Sequence, residues 1–369
     1  MSTRAITLLI LVVFLFGQLN AQKDKRSLDS LLLSQLTIDM QWFLAHKVGK
    51  SGGDDFNEFT LKRGYVNIKK GISEKLSGRI TTDLTVDQEG DGKGDIEIRL
   101  KYLYLEYRLN SFLFFHQPHF EFGLVHRPWI DFEQSVNDYR VQGQMFLERN
   151  DMINSADFGV VFMSLLGGEL DKAYQKNIND DFPGKYGSFS LGVFNGGGYH
   201  ALENNTNKTL ESRLTLRPLY RIMPGLQFTY HGAVGRGNTE AEPHWHYQSA
   251  YLSMETVYSV FTLEGYNGRG NYKGTAIQDT ISYNAVPQSG YSVFAEGKFF
   301  NSKISLIGRY DDYISYYDTG NLRTQRFITG VAYHFSRGSK IIVDYERIRY
   351  RDNLASDDYF FELALELRF

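Results

Sequence analysis

Strict alternation constrains this chain more than any other feature. The last residues, YFFELALELRF, place Phe361, Leu363, Leu365, Leu367 and Phe369 at every second position, with Glu362, Ala364, Glu366 and Arg368 between them. A period of two means an extended strand with one apolar and one polar face. Comparable segments fall near 37–46, 58–70, 75–86, 96–108, 118–127, 158–166, 185–195, 209–218, 225–235, 246–257, 260–268, 290–299, 303–313, 324–335, 339–350 and 359–369, sixteen in all. LESRLTLRP sets Leu210, Leu214 and Leu216 against Glu211, Arg213 and Arg217. LSGRITTDL sets Leu76, Ile80 and Leu84 against Arg79, Thr81 and Asp83. ISLIGRYDD sets Ile304, Leu306 and Tyr310 against Arg309 and Asp311, and YSVFAEGKF opposes Phe299 and Val293 to Glu296 and Lys298. IEIRLKYLYLEYRL is apolar on both faces, so alternation alone does not assign its inward set.

Such strands fit a soluble sandwich, with charges outside, or a membrane barrel, with charges inside. The N-terminus favours the second. MSTRAITLLILVVFLFGQLNAQ has Arg4, an apolar run from Ile6 to Phe16, and small or polar residues to Ala21. That is the pattern of a secretory signal peptide over residues 1–21. The run is too short for a spanning helix, which needs about 20 apolar residues, and no second long apolar stretch follows. Residues 22–36 read as a periplasmic lead-in, and 37–369 as the barrel.

The chain has no cysteine, which excludes disulfides, thiolate metal sites and a lipid-modified anchor. An exported chain without disulfides can instead be held by a closed ring of strands, in which every backbone group is paired. The 27 Phe and 25 Tyr suit a wall with an apolar outer face and aromatic girdles. A net charge of −3 gives no sign of a nucleic-acid partner. The expected fold is therefore all-β: a transmembrane, antiparallel, up-and-down barrel of about sixteen strands in the outer membrane, with lipid and lipopolysaccharide around it.

The connections alternate in length. HKVGKSGGDDFN, NGGGYHALENNTNK, GRGNYKGTAIQDTISYNAVPQSG and YISYYDTGNLR are long; GISEK, YRIMPG, FNSK and SRGS are short. Long extracellular loops and short periplasmic turns are the pattern of outer-membrane barrels. GGELDKAYQKNINDDFPGKY breaks it, being long where a short turn is due. Between the fifth and sixth strands lies RPWIDFEQSVNDYRVQGQMFLERNDMINSAD, the longest stretch without alternation. A loop of that length is usually functional.

Several stretches resemble the phosphate-selective porin family, of the porin O and porin P type. They are LKRGYVNIKKGISEKLSGRI, FEFGLVHRPW with MFLERN and DFGVVF, LGVFNGGG and ESRLTLRPL, spanning roughly residues 58 to 218. The resemblance implies a sixteen-stranded passive channel, commonly a homotrimer, whose third loop folds into the lumen and narrows the pore. It also implies small anions or other small solutes as cargo. Phe369 resembles the C-terminal signal read by the outer-membrane insertion machinery. The family's phosphate selectivity depends on lysines at the constriction. Residues 127–157 contain none.

The constriction loop instead offers Asp131, Glu133, Arg140, Glu148, Arg149 and Asp151, which is net acidic. The expected inward wall residues are Arg63, Lys69, Arg79, Asp83, Glu211, Arg213, Arg217, Glu296, Lys298, Arg309 and Asp311. The arginines and lysines among them form either a basic stripe up one wall or pairs with the acids that stiffen it. The alternative class is a barrel enzyme of phospholipase or protease type. HWHY offers His244 and His246 on one face, but two ligands without a third are a weak metal signal. There is no G-x-S-x-G elbow and no P-loop. No cofactor is implied.

Overall fold

The computed structural model describes residues 35–87, 92–336, 338–351 and 356–369. The expected signal peptide, and the lead-in apart from its last two residues, lie outside them. The strands are β1 (Leu36–Ser51), β2 (Asp54–Gly71), β3 (Leu76–Val86), β4 (Ile96–Arg108), β5 (Phe115–His126), β6 (Ala156–Leu166), β7 (Gly187–Phe194) and β8 (Thr209–Leu216). They continue with β9 (Leu226–Arg236), β10 (His244–Glu255), β11 (Ser259–Arg269), β12 (Pro287–Phe299), β13 (Ile304–Tyr317), β14 (Gly320–His334), β15 (Lys340–Arg351) and β16 (Asp358–Arg368). Each pairs antiparallel with its neighbours in sequence, and β1 pairs with β16, so the sheet is a closed barrel of sixteen strands. The seam runs from Gln41 opposite Arg368 to Lys50 opposite Tyr359. Beyond it, Met40 and Phe369 exchange backbone hydrogen bonds of 2.8 and 3.1 Å.

The faces discriminate between sandwich and membrane barrel. Phe361 is 57 % exposed and Leu363 49 %, whereas Glu362 is 1 % and Glu366 0 % exposed. Apolar side chains outward and carboxylates inward is the reverse of a soluble protein, and closure leaves no unpaired strand edge. The exterior continues round the wall with Ile98, Phe122, Phe228, Val234 and Leu306 exposed.

β-Bulges re-aim side chains in β4 and β2, and the first explains why alternation does not assign the faces of β4. Thr81 pairs with Tyr102 and Thr82 with Leu100, so Lys101 is an extra residue. The outward set switches from Ile96, Ile98 and Leu100 to Leu103, Leu105 and Tyr107, and both Lys101 and Tyr102 turn inward and are buried. In β2, Phe43 pairs with Arg63 and Leu44 with Leu61, leaving Lys62 as the extra residue. A bulge re-aims side chains in this way, here placing Lys62 and Arg63 in succession on the inner face.

Two loops expected to be long are tight hairpins. β1 and β2 extend outward to a turn at Gly52 and Gly53, both with positive φ (60° and 94°), as a two-residue primed turn requires. Tyr317 pairs with Gly320, leaving Asp318 and Thr319 as the turn between β13 and β14. Above the lipid no face need be apolar, so these strand ends are polar on both sides and read as loop.

The β5–β6 loop enters the barrel. It carries α1 (Ile130–Val136) and α2 (Phe146–Arg149). Trp129, Val141, Met145, Phe146, Leu147 and Met152 are all 0 % exposed and pack with Trp245, Tyr247, Tyr251, Tyr266, Phe294, Ile307 and Ile342 of the inner wall. The lumen thus holds a hydrophobic core. Each such side chain contributes about 1.5–3 kcal/mol by leaving water.

Candidate functional site: the charged lumen beside the third loop

The third loop packs against the β9–β15 side of the barrel and leaves a cavity of about 1090 Å³ mainly on the β1–β5 side. Strand register supplies its wall. Tyr65, Asn67, Arg79, Thr81, Lys101 and Tyr102 line it from β2, β3 and β4. Arg79 donates from Nη2 to Asn67 Oδ1 (2.9 Å) and from Nη1 to His126 Nε2 (3.0 Å), and its guanidinium lies 4.8 Å from the Tyr102 ring centroid. The Lys101 ammonium sits 4.5 Å from the Tyr65 ring centroid. Higher on this wall, Arg63 donates to Asp83 (2.9 Å), which also accepts from the Tyr199 hydroxyl (2.9 Å).

Across the cavity stand Asp131, Gln134, Asp138 and Arg140 of the loop, and Asp180 and Asp181 from the β6–β7 connection. Asp131 and Asp138 retain side-chain exposures of 37 and 51 %. Burial opposes the ionisation of Asp138, but Lys340 and Arg368 outweigh it and hold the carboxyl below its ordinary range. One side of the cavity is therefore cationic and aromatic, and the other is rich in carboxylates.

Of the six loop residues singled out in the sequence, Asp131 and Arg140 reach this cavity. Glu133 is buried, with Oε2 lacking a hydrogen-bond partner. Glu148 pairs with Arg140 (3.2 Å), and Arg149 with Asp311 (3.7 Å). Asp151 sits exposed beside Lys273 (2.9 Å).

The wall residues do not form one basic stripe. Arg63, Lys69 and Arg79 lie on β2 and β3, while Arg213, Arg217 and Arg309 lie behind the docked loop, at most 7 % exposed. Arg213 donates to the Pro128 carbonyl (2.8 Å) and stacks over Phe132 (4.4 Å). Arg217 donates to Tyr174 (3.1 Å), and Arg309 to Asp311 (2.8 Å). Glu211 receives Arg127 at 2.7 Å, and Glu296 accepts from the Tyr139 hydroxyl at 2.6 Å with Lys298 3.8 Å away. These groups point inward and most of them fasten the loop, because its apolar residues fill that side; Arg213 also lines the edge of the cavity, and Lys298 stays partly open.

Sequence reasoning counted Asp138 among the loop's acids but missed Lys62, Lys101, Tyr65, Tyr102, Asp180, Asp181 and Arg368 as lumenal groups. The switch of phase within β2 and β4 was the available signal for the first four. The β6–β7 connection was visible only as an anomaly of length.

His244 and His246 lie on the exposed outer face at the start of β10. Glu106, His119 and Glu121 place one ligand atom each within 4.8 Å of one another and could hold a divalent ion. Glu106 already receives Arg108 (2.6 Å), and Glu121 receives His126 (3.0 Å).

No protein-family model matches the chain, and no curated protein matches it by sequence. Solved structures match over nearly its whole length. Salmonella typhi OmpF, in complex with daunomycin, superimposes with a TM-score of 0.62 at 13 % identity, over 90 % of this chain and 97 % of that one. The anion-selective porin from Comamonas acidovorans gives 0.59 at 8 % identity, over 90 and 100 %. The outer-membrane channel DcaP of Acinetobacter baumannii gives 0.53 at 12 % identity, over 95 and 100 %. Identities this low speak to fold and not to cargo. The closed ring, apolar exterior and charged interior define an outer-membrane β-barrel. Its fold is that of the sixteen-stranded bacterial porins.

Proposed function

We propose that the protein is a passive diffusion channel of the outer membrane for small hydrophilic solutes or ions. The observation that carries this reading is the cavity of about 1090 Å³ lined by charged groups within a lipid-facing barrel. Water and ions would cross there, shielded from lipid, with the third loop setting the width and the opposed charges biasing which solutes pass. The wall residues Arg63, Lys69, Arg79, Lys101 and Asp83, and the loop residues Asp131, Asp138 and Arg140, are the groups we assign to that path.

The sequence resemblance suggests phosphate, but the charge pattern argues against it. A phosphate-blocking site needs several converging cationic donors. Here Arg63 is held by Asp83, Arg140 by Glu148, and six carboxylates (Asp39, Glu106, Asp131, Asp138, Asp180 and Asp181) line the same cavity. We infer weak cation preference or none. Reversal potentials in a salt gradient across a planar bilayer, followed by added phosphate, test this. Strong anion selectivity with block by micromolar phosphate would restore the phosphate reading. Absence of any channel current would remove the porin reading.

His244 and His246, the residues offered for the enzyme alternative, face outward and converge with no third ligand among the described residues. Export by the residue 1–21 signal, insertion through the Phe369 signal and assembly as a homotrimer belong to the same proposal. A trimer form of the Vibrio cholerae protein OmpT, 12 % identical with a TM-score of 0.56, supports the last.

A further inference from the structure

The β6–β7 connection, residues 167–186, is the long segment that the alternation of loop lengths left unexplained. Its stem continues the hairpin inward: Leu170 N–H donates to the Pro183 carbonyl and Lys185 N–H to the Gly168 carbonyl, both at 2.8 Å. Asp171 then caps a short helix, α3 (Lys172–Asn177), by accepting from Tyr174 N–H at 2.7 Å. After α3 the chain turns into the mouth of the barrel.

Three contacts fix it there. The Asn179 amide donates to the Ser135 carbonyl of the third loop and to Glu255 Oε1 of β10, each at 2.8 Å. An amide nitrogen has two protons, so both bonds form together. Phe182 packs edge-on against Phe132 of α1 (5.5 Å between centroids), under the Arg213 guanidinium at 4.8 Å. Arg217, just past the end of β8, clamps the segment through the Phe182 carbonyl (3.4 Å) and the Tyr174 hydroxyl (3.1 Å). An element entering from the periplasm is thus docked onto the loop that enters from outside.

This docking carries Asp180 and Asp181 into the lining of the same cavity as Asp131 and Asp138. Among the described residues neither Asp180 nor Asp181 makes an ion pair, whereas Asp138 is matched by Lys340 and Arg368. Asp181 keeps its side chain open to lumenal water.

We infer that the β6–β7 segment is a second constriction, at the periplasmic mouth, and that Asp180 and Asp181 are its charge-selecting residues, favouring small cations over anions. The inference rests on the channel reading and adds a site to it. Unmatched carboxylates at a narrow mouth raise the local cation concentration and lower that of anions. Enclosure within the barrel, which thins the water round a side chain that still touches it, and then the neighbouring carboxylates Asp131, Asp180 and Asp138, push the Asp181 carboxyl up to about 6, with Lys69 acting the other way. That crowding of like charge is what a selecting site requires.

The test is the reversal potential of the reconstituted protein in a potassium chloride gradient. The double variant Asp180→Asn/Asp181→Asn should lower the cation-to-anion permeability ratio by roughly twofold to threefold while leaving conductance nearly unchanged. Asp279→Asn, in the exposed β11–β12 loop, serves as the control and should change nothing. Because the chain has no cysteine, Asp181→Cys gives a second, independent reading. A charged thiosulfonate reagent added to the periplasmic side should change the current through that variant. If wild-type protein conducts and neither the ratio nor the modified current moves, the second constriction is overturned while the channel reading stands. If wild-type protein carries no current, both fall together.

Discussion

Lys340 Nζ lies 2.8 Å from Asp138 Oδ2 and 3.0 Å from Glu366 Oε2. The lysine belongs to β15, the aspartate to the third loop and the glutamate to the closing strand, so one buried cation ties the loop to the barrel seam. Arg368 pairs with the same two carboxylates. A parallel tie lies further along the seam, where Lys62 donates to Glu362 (2.7 Å) and to the Gln142 carbonyl (2.7 Å). Buried ion pairs add little net stability when complete, but breaking one leaves an uncompensated charge.

Lys340→Met should therefore destabilise the barrel, and the cost should sit near the lower end for a broken buried pair, about 3 kcal/mol, because Arg368 remains to serve both acids. The temperature at which the folded, fast-migrating gel band converts to the unfolded one should fall. Current through the variant should become noisier as the loop loosens. An unchanged midpoint with quiet channels would contradict the latch.

Phe146→Ala tests the apolar side of the same docking. Phe146 is fully buried and meets Tyr313 edge-on at 6.4 Å between centroids. Its removal should cost about 3–5 kcal/mol through lost burial and an unfilled cavity. Single-channel conductance should rise, since the loop would no longer be held against the wall. A stable variant with wild-type conductance would mean that the loop is held by its ion pairs alone.

Alternation carried the strand count, the antiparallel closure and the lipid-facing set, because period two is written directly into residues such as Phe361 to Phe369. The site was less legible. Lys101 and Tyr102 are adjacent in sequence yet both face the lumen, and only the pairing partners across β3 and β4 reveal the extra residue. Arg213 and Arg309 obeyed the alternation, but whether an inward arginine meets water or a docked loop depends on where residues 127–155 fold. Charge counting gave the loop's acidity correctly and its disposition wrongly. Glu133 and Glu148 are buried, whereas Asp131 is open to the cavity.

Selectivity should depend on pH. The Asp181 carboxyl is raised to about 6, so it is mostly ionised at pH 7.5 and mostly protonated at pH 5. A raised carboxyl means that ionisation costs the folded state, so its charge is shed, not gained, as pH falls through 6. Cation preference measured by reversal potential should decline over that window. The decline should vanish in Asp181→Asn. Equal decline in the variant would assign the effect to other carboxyls.

Phe369→Ala should separate assembly from stability. The ring sits edge-on to Trp42 at 5.2 Å between centroids, and the residue pairs by its backbone with Met40, a bond the substitution leaves intact. The lost aromatic contact is worth about 1 kcal/mol. Refolding from urea into detergent should change little, while the amount inserted in cells should drop. Normal insertion would deny Phe369 its role as a signal.

The seam ties have a consequence for the order of construction. Glu362 meets Lys62 only when the last strand has reached its place beside the first, and Asp138 meets Lys340 and Arg368 only once β15 and β16 have been made. The third loop, made in the first half of the chain, must therefore wait for the final residues before its docking is complete. The loop's last fastenings are therefore shared with the closure of the wall.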